Sequence, residues 1–261
     1  MRRAAAGILL GVVVSGWAGG GAPPGEDYAR LFGRRYRNAL DFLKDRPEAA
    51  GRIRGLGLDP DFALAVVFPE MLRFSVLADL VQVGYVQTLY VQLGGRHGDV
   101  SIGRFQMKPA FAETLEADFN RRLSPAEQER IAGGRFDLAD SAENRLARVR
   151  RLAGLDGQVT YLVIFVRVMD SLHPELSAAG AEEKLRLFAT AYNAGYRQGL
   201  DRLRRLSTAR LYRVRSSDAD PAANYADIAL DYYRRARGAA VKPSRSGNLF
   251  PPPFVFFNDG P

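Results

Sequence analysis

The chain has 261 residues, of which 47% are hydrophobic and 25% charged, and a formal net charge of +8. This composition is typical of a globular protein with one sizeable core, and the positive charge favours anionic neighbours. The sequence has no cysteine and only two histidines, His97 and His173, which argues against disulfides, metal sites and Ser-His-Asp hydrolases. A dense basic run, "RQGLDRLRRLSTARLYRVR", has no nucleic-acid-binding signature, so we interpret it as a solvated helix face.

The N-terminus has the features of an export signal. Arg2 and Arg3 precede a short apolar run, and small residues follow in "GGGAPP". We therefore predict a signal peptide over residues 1–24, a periplasmic or secreted protein, and no stable membrane insertion once the signal is removed. An uncleaved membrane anchor is the alternative, although the apolar run is shorter than the ~20 residues of a spanning helix.

From Glu26 onward, apolar residues recur at helical spacing. The segment "YARLFGRRYRNALDFLKDR" predicts one N-terminal helix that ends before Pro47. A second helix should begin at Pro60, with Asp59 as its cap. Pro69 removes one hydrogen bond inside this helix, so we expect the helix to bend or end there and to leave Glu70 at the break.

The middle of the chain predicts further helices separated by turns. A helical run over residues 76–93 is followed by a loop in "GGRHGDVSIGRF". Helices should then begin at Pro109 and, with Ser124 as cap, at Pro125. The segment "SAENRLARVRRLAG" predicts a helix that ends near Gly154.

The last third contains the most apolar segment. Residues 159–169 are apolar all round, and their length favours a buried central helix over a buried strand. A helix that ends at Gly195 and a final helix in "NYADIALDYYRRAR" follow. We predict an all-α fold with one domain over residues 25–237 and a proline-rich tail over 238–261, which is either docked or disordered.

Three local patterns stand out in this helical chain. They are Phe68-Pro69-Glu70, the segment "GRFQMKP" that begins at Gly103, and "AYNAG" at residues 191–195. In this order they resemble the soluble lytic transglycosylases and the related goose-type lysozymes, and the resemblance covers about residues 59–235. It implies a lysozyme-like helical fold and a protein that cleaves the glycan strands of peptidoglycan, without a metal or cofactor.

The resemblance also implies roles for individual residues. Glu70 matches the catalytic acid of the family. Gln106 and Met107 match the middle motif, Tyr192 and Asn193 match the third, and Tyr225 resembles a tyrosine of the following helix; we expect these five residues to bind substrate. Within the middle motif, we expect Gly103 to permit close approach of a sugar, and Phe105 or Met107 to anchor the turn.

Two features depart from the family pattern. Met71 stands where the family has a serine after the catalytic Glu. The gap between Glu70 and Gln106 is also longer than in the family, because it contains the predicted extra helix over residues 76–93. Both differences concern the substrate groove, which the extra helix could reshape or cover.

The chemistry that the resemblance implies needs one carboxyl group. Ordinary glycosidases use two carboxyl groups, whereas in a lytic transglycosylase the 6-hydroxyl of the muramyl sugar attacks the anomeric carbon and forms a 1,6-anhydro ring. Glu70 would protonate the glycosidic oxygen and later accept the hydroxyl proton. Apolar neighbours such as Phe68, Met71 and Phe74 should raise its pKa.

Two other functions remain open. A hydrolytic muramidase would need a second carboxylate, for which Asp99, Glu113 and Glu116 are candidates. A catalytically inactive wall-binding or scaffold protein would leave Glu70 unused. In each case the expected partner is peptidoglycan, and Arg73 and Arg104 are candidates for contacts with the carboxylates of its stem peptides.

Overall fold

The computed structural model describes residues 26–74, 89–94, 100–214 and 222–241. The predicted signal peptide lies outside these ranges, as does the tail after residue 241. Within them the chain is helical, with two isolated β-bridges and no strand, which confirms the all-α prediction. The α-helices whose bounds are described are α1 (Tyr28–Phe32), α2 (Arg34–Lys44), α3 (Pro47–Gly55), α4 (Pro60–Arg73), α5 (Pro109–Arg122), α6 (Pro125–Ala132), α7 (Ala142–Ala153), α8 (Leu155–Leu172), α9 (Ala181–Ala194), α10 (Leu200–Leu206) and α11 (Tyr225–Val241), with a 3₁₀ helix at Pro174–Ala178 between α8 and α9.

The N-terminal segment forms two helices instead of the predicted single one. Gly33 separates α1 from α2 and has a φ angle of 50°, a conformation that glycine adopts without the steric cost that other residues incur. The apolar spacing continues across this glycine, so periodicity alone could not reveal the break. Pro47, the predicted stop of the first helix, begins α3.

Helix α4 begins as predicted, because the side chain of Asp59 accepts a hydrogen bond from the backbone of Asp61 and Pro60 occupies the first turn. It does not end at Pro69 but continues to Arg73. A proline inside a helix costs about 3 kcal/mol. Every residue from 63 to 72 is buried, and burial of one large apolar side chain contributes about 1.5–3 kcal/mol. Tertiary packing therefore outweighs the lost hydrogen bond.

Helix α8 is buried along most of its length, as its composition predicts. It packs against α5 and α7, whereas α4 packs against α9 and α11. Among the described helices, none alone is long and apolar enough to cross a membrane; α7 and α8 reach that threshold only as a pair bent by 97°.

Several predicted helix ends are confirmed. Helix α5 starts at Pro109, Ser124 forms a capping box at α6, and α7 ends immediately before Gly154. Gly195 follows α9 with a φ angle of 101°. The final helix passes the predicted start of the tail and reaches Val241. Of the predicted extra helix, residues 89–93 are helical and residues 76–88 lie outside the described part.

A buried ionic network joins α5, α7 and α8. Glu116 on α5 is fully buried and accepts hydrogen bonds from Arg148 at 2.6 and 3.0 Å, from Arg151 at 2.9 Å and from the hydroxyl of Tyr161. Arg148 is itself 4% exposed and also donates to Glu113. The network satisfies charges that would otherwise be costly to bury.

We predict that Glu116→Gln lowers the free energy of unfolding by about 3 kcal/mol, because it leaves the Arg148 guanidinium buried without its anion. Urea unfolding followed by circular dichroism measures this loss. Glu129→Gln makes the same chemical change on an exposed part of α6 and should shift stability by less than about 0.5 kcal/mol. Equal stabilities for the two variants would contradict a structural role for the network.

Candidate active site

Glu70 is a buried acid near the C-terminal end of α4. Its exposed fraction is 6%, and burial raises the pKa of its carboxyl from 4.5 to about 7. The positive charges of Arg73 and Lys108 oppose this shift, but Arg73 Nη1 lies 3.5 Å from Glu70 Oε2, beyond a good charge-assisted hydrogen bond. The loss of hydration therefore dominates, and Glu70 is held near the midpoint of its titration at neutral pH.

Three tyrosines from separate segments lie within electrostatic reach of this carboxyl. Burial raises the pKa of Tyr192, Tyr212 and Tyr225 well above 10, and the negative charge of Glu70 raises each pKa further. Tyr192 and Tyr225 come from the sequence patterns described above. The fold thus brings both of these residues to Glu70.

The three tyrosine hydroxyls donate to backbone carbonyls and not to Glu70. Tyr225 donates to the carbonyl of Val66 at 3.1 Å, and Tyr212 donates to the carbonyl of Pro69, so both fix the backbone of α4 beside the acid. Tyr192 donates to the carbonyl of Phe105 at 2.7 Å. Since no tyrosine proton is directed to the carboxylate in the described part of the chain, the charged form of Glu70 gains little stabilisation from them.

Tyr212 is a site residue that the sequence did not reveal. Its ring lies under the guanidinium of Arg73, with 4.0 Å between Arg73 Cζ and the ring centroid, and Arg73 Nε donates to the carbonyl of Arg213 at 2.9 Å. A β-bridge between Tyr212 and Ala223 positions this segment. Tyr212 lies within the basic run of the sequence, and only the tertiary fold places it beside α4.

The turn at residues 101–107 is closed by a bridge between Ile102 and Met107, with hydrogen bonds of 2.8 and 3.1 Å. Phe105 is fully buried and Met107 is 1% exposed, so both anchor the turn in the core. Met107 was also expected to bind substrate. Its side chain, like that of Tyr225 at 4% exposed, packs into the core, so both present little surface to a ligand and their substrate contacts stay predictions.

Gly103 is required by a contact inside the protein. A Cβ atom at this position would lie 2.1 Å from Gln158 Nε2, and Gln158 Oε1 accepts a hydrogen bond of 2.8 Å from the backbone of Phe105. The close approach that glycine permits here is therefore to Gln158 of α8, a residue that no local sequence pattern indicates. Gln106 adopts a φ angle of 49° and donates its side-chain amide to the carbonyl of Gly103 at 2.8 Å, so part of its hydrogen-bonding capacity serves the turn.

The end of α9 meets this turn through Tyr192, which is half-buried, whereas Asn193 is exposed. Below them, buried Asp118 accepts hydrogen bonds from the Tyr196 hydroxyl at 2.7 Å and from Arg197 Nε at 2.8 Å. These hydrogen bonds hold Tyr196 and Arg197, which follow α9, against α5. Asn193 is therefore exposed to solvent in the last turn of α9, whose end is held in place by these contacts.

The other candidate carboxylates have different surroundings. Glu113 and Glu116 are engaged in the network around Arg148, and Asp99 lies outside the described residues. The charged side chains that shift the pKa of Glu70 are Arg73 and Lys108, both cations. Within the described ranges, no group of three or more acidic or histidine side chains could hold a metal ion. The site therefore presents one acid among tyrosines and cations.

Comparison with known proteins gives no match: no family model, no curated protein and no solved structure matches the chain.

The raised pKa of Glu70 predicts a pH-dependent effect of Glu70→Gln on stability. Below pH 4.5 the carboxyl is protonated in both folded and unfolded states, so the substitution should change stability little. Between pH 4.5 and about 7 only the unfolded state loses the proton, which destabilises the folded wild type. Above pH 7 we expect Glu70→Gln to be more stable than wild type by about 3 kcal/mol, at 1.36 kcal/mol for each unit of pKa shift.

Urea unfolding of both proteins at pH about 4 and about 8.5 measures this difference. Glu129→Gln, which removes an exposed acid, should show no comparable change between the two pH values. A difference between wild type and Glu70→Gln that does not depend on pH would contradict the raised pKa.

Proposed function

We propose that the protein is a lytic transglycosylase that cleaves the β-1,4 bond between N-acetylmuramic acid and N-acetylglucosamine in peptidoglycan. The observation that supports this most strongly is the buried carboxyl of Glu70, whose pKa lies near 7 and whose charged neighbours in the described part of the chain are cations. A carboxyl that is half-protonated at neutral pH can both donate and accept a proton.

In the proposed reaction, Glu70 donates its proton to the glycosidic oxygen while the bond from that oxygen to the anomeric carbon breaks. The 6-hydroxyl of the muramyl sugar then forms a new bond to the anomeric carbon and transfers its proton to the Glu70 carboxylate. No water is consumed, and Glu70 returns to its protonated form. One carboxyl group is therefore enough, in contrast to the pair of an ordinary glycosidase.

The surroundings of Glu70 fit this role. The hydroxyls of Tyr192, Tyr212 and Tyr225 fix backbone carbonyls, so the carboxyl is positioned without being held permanently in its charged form. Arg73 can stabilise the carboxylate that forms after the first proton transfer. Gln106 and exposed Asn193 remain the candidates for sugar contacts in this proposal, whereas buried Met107 supports the turn.

A lysozyme-like arrangement of the helices is part of the same proposal. Its support is that Tyr192, near the end of α9, donates a hydrogen bond to Phe105 in the turn at residues 101–107 and lies within electrostatic reach of Glu70 on α4. The N-terminal pattern and the positive net charge support an exported protein that acts on an anionic cell-wall polymer and not on nucleic acid.

The test is digestion of purified peptidoglycan with wild-type protein, Glu70→Gln and the control Glu129→Gln, followed by mass spectrometry of the released fragments. We expect 1,6-anhydro muropeptides from wild type and from Glu129→Gln, and a rate at least about 100-fold lower from Glu70→Gln, since general acid–base catalysis contributes about 10²–10⁴-fold. Because the proton donor must be protonated, the wild-type rate should also fall as the pH rises above 7.

Other products would select another function. Fragments with reducing ends would indicate a hydrolytic muramidase of similar site geometry. Unchanged binding of peptidoglycan by wild type and Glu70→Gln, with no product from either, would indicate a wall-binding or scaffold protein. Equal turnover by wild type and Glu70→Gln would show that Glu70 is not the acid.

A further inference from the structure

The guanidinium group of Arg73 is held by the segment that contains Tyr212. Arg73 Nε donates a hydrogen bond of 2.9 Å to the backbone carbonyl of Arg213. The face of the guanidinium lies on the ring of Tyr212, with 4.0 Å between Arg73 Cζ and the ring centroid. Arg73 Nη1 lies 3.5 Å from Oε2 of Glu70, which is three residues earlier on α4. The segment that contains Tyr212 thus helps to determine how close this cation comes to the acid.

Tyr212 is a rigid support for this cation. Its residue is 2% exposed, and its hydroxyl donates to the carbonyl of Pro69, one turn before Arg73 on α4. Its ring meets the ring of Tyr225 edge to face at 5.0 Å, and its backbone pairs with Ala223 through hydrogen bonds of 2.8 and 3.1 Å. Because its backbone, ring and hydroxyl are each engaged, Tyr212 holds the guanidinium from a fixed position.

The separation between Arg73 and Glu70 is longer than a charge-assisted hydrogen bond, which spans about 2.7–2.9 Å. Direct contact between the same residue types does occur in this fold, where Arg148 Nη2 lies 2.6 Å from Glu116 Oε2. Since Arg73 Nε is bonded to the carbonyl of Arg213, the guanidinium edge that contains Nε cannot pair with a carboxylate. Arg73 therefore attracts a negative charge on Glu70 without a direct ion pair.

The titratable and charged groups around the Glu70 carboxyl come from several elements of the described chain. They are Arg73 on α4, Lys108 before α5, Tyr192 on α9, Tyr212, and Tyr225 on α11, with Arg35 of α2 acting on Tyr212. The three tyrosine hydroxyls donate to backbone carbonyls, and Lys108 is exposed. Of the two cations that lower the pKa of Glu70, Arg73 has the larger effect. A movement of Arg73 should therefore change this pKa.

We propose that Tyr212 is a positioning residue for the reaction, because its ring, together with the carbonyl of Arg213, keeps Arg73 from forming a direct ion pair with Glu70. The inference rests on the proposed function, in which Glu70 donates a proton and takes one back. At 3.5 Å, Arg73 stabilises the carboxylate that follows the first proton transfer. A direct ion pair would instead ionise Glu70 before the reaction and leave it unable to act as an acid. Tyr212 acts on the reaction through Arg73.

The test measures the titration midpoint of Glu70 by NMR of protein labelled with carbon-13 at the glutamate carboxyl groups. The Glu70 signal is the one that is absent from Glu70→Gln, and in wild type it should titrate near pH 7. Tyr212→Leu removes the ring, so Arg73 should approach Glu70 and lower the midpoint by at least about one pH unit. Tyr212→Phe keeps the ring under Arg73 and should keep the midpoint close to that of wild type.

A paired comparison separates movement of Arg73 from entry of water where the ring is lost. In an Arg73→Met background, Tyr212→Leu should not lower the midpoint, because no guanidinium remains to approach Glu70. A fall of the same size in that background would overturn the inference. Equal midpoints for wild type and Tyr212→Leu would also overturn it.

Arg73→Lys provides the same test if Tyr212→Leu does not fold. The side chain of Arg73 is 34% exposed, and a lysine ammonium has neither a flat face for the ring nor an Nε–H for the carbonyl. The ammonium should therefore approach Glu70 and lower its midpoint. An unchanged or higher midpoint in Arg73→Lys would overturn the inference.

The release of anhydro muropeptides should show the same dependence on pH. With the midpoint one pH unit lower, the protonated fraction of Glu70 at pH 7 falls from about one half to about one tenth. Tyr212→Leu should then be about fivefold slower than wild type at pH 7 and should recover most of this loss at pH about 5. An equal loss at both pH values would indicate a structural defect and overturn the inference.

The NMR titrations need no substrate, so they separate this inference from the proposed function. Midpoints that do not depend on Tyr212, in a protein that releases anhydro muropeptides, would overturn the inference alone. Midpoints that depend on Tyr212 through Arg73, in a protein that does not cleave glycan, would support the positioning of Arg73 and reject the transglycosylase.

Discussion

The packing around Glu70, which is 6% exposed, excludes water from its carboxyl group. A carboxylate in this position loses hydration, which an arginine at 3.5 Å and the exposed Lys108 offset only in part. Helix α4 delivers Glu70 into the interior even though Pro69 precedes it, because α9 and α11 cover that helix. Packing thus raises the pKa of the Glu70 carboxyl, and this pKa determines whether the group can donate a proton at neutral pH.

The buried carboxylates of this fold have two kinds of surroundings. Glu116 and Asp118 each meet arginines and a tyrosine hydroxyl, so their negative charges are stabilised and they join helices together. Glu70 is less well compensated: Arg73 lies 3.5 Å away, and the nearby tyrosine hydroxyls donate to backbone carbonyls. The contrast distinguishes carboxylates that hold the structure together from one that is available for proton transfer.

The sequence predicts helix ends correctly where a capping residue or a glycine marks the end locally. Asp59, Ser124 and Gly195 act within one turn of their own positions, and each lies at a helix end in the structure. The break at Gly33 could not be predicted, because the apolar spacing continues through it. The sequence predicted that α4 would bend or end at Pro69. The helix does not end there, because tertiary packing, which a local sequence rule does not include, stabilises its last turn.

Some residues of the candidate site could be predicted from local sequence patterns, and others could not. Glu70, Tyr192 and Tyr225 lie in patterns that the sequence displays, and the fold brings them together. Gln158 and Tyr212 act through contacts with residues more than 50 positions away, at Phe105 and Pro69, so no local pattern points to them. Met107 belongs to a recognisable pattern, and the structure shows that its buried side chain supports the turn.

The role of Glu70 as the acid is tested most directly by a crystal structure of Glu70→Gln with a bound peptidoglycan fragment that contains an intact bond between the muramyl and glucosaminyl sugars. We expect the glycosidic oxygen to lie within hydrogen-bonding distance of the side-chain amide introduced at position 70, roughly 2.7–3.2 Å, and no other carboxylate to lie close to the anomeric carbon. A glycan bound away from position 70, or a second carboxylate on the opposite face of the muramyl sugar, would contradict it.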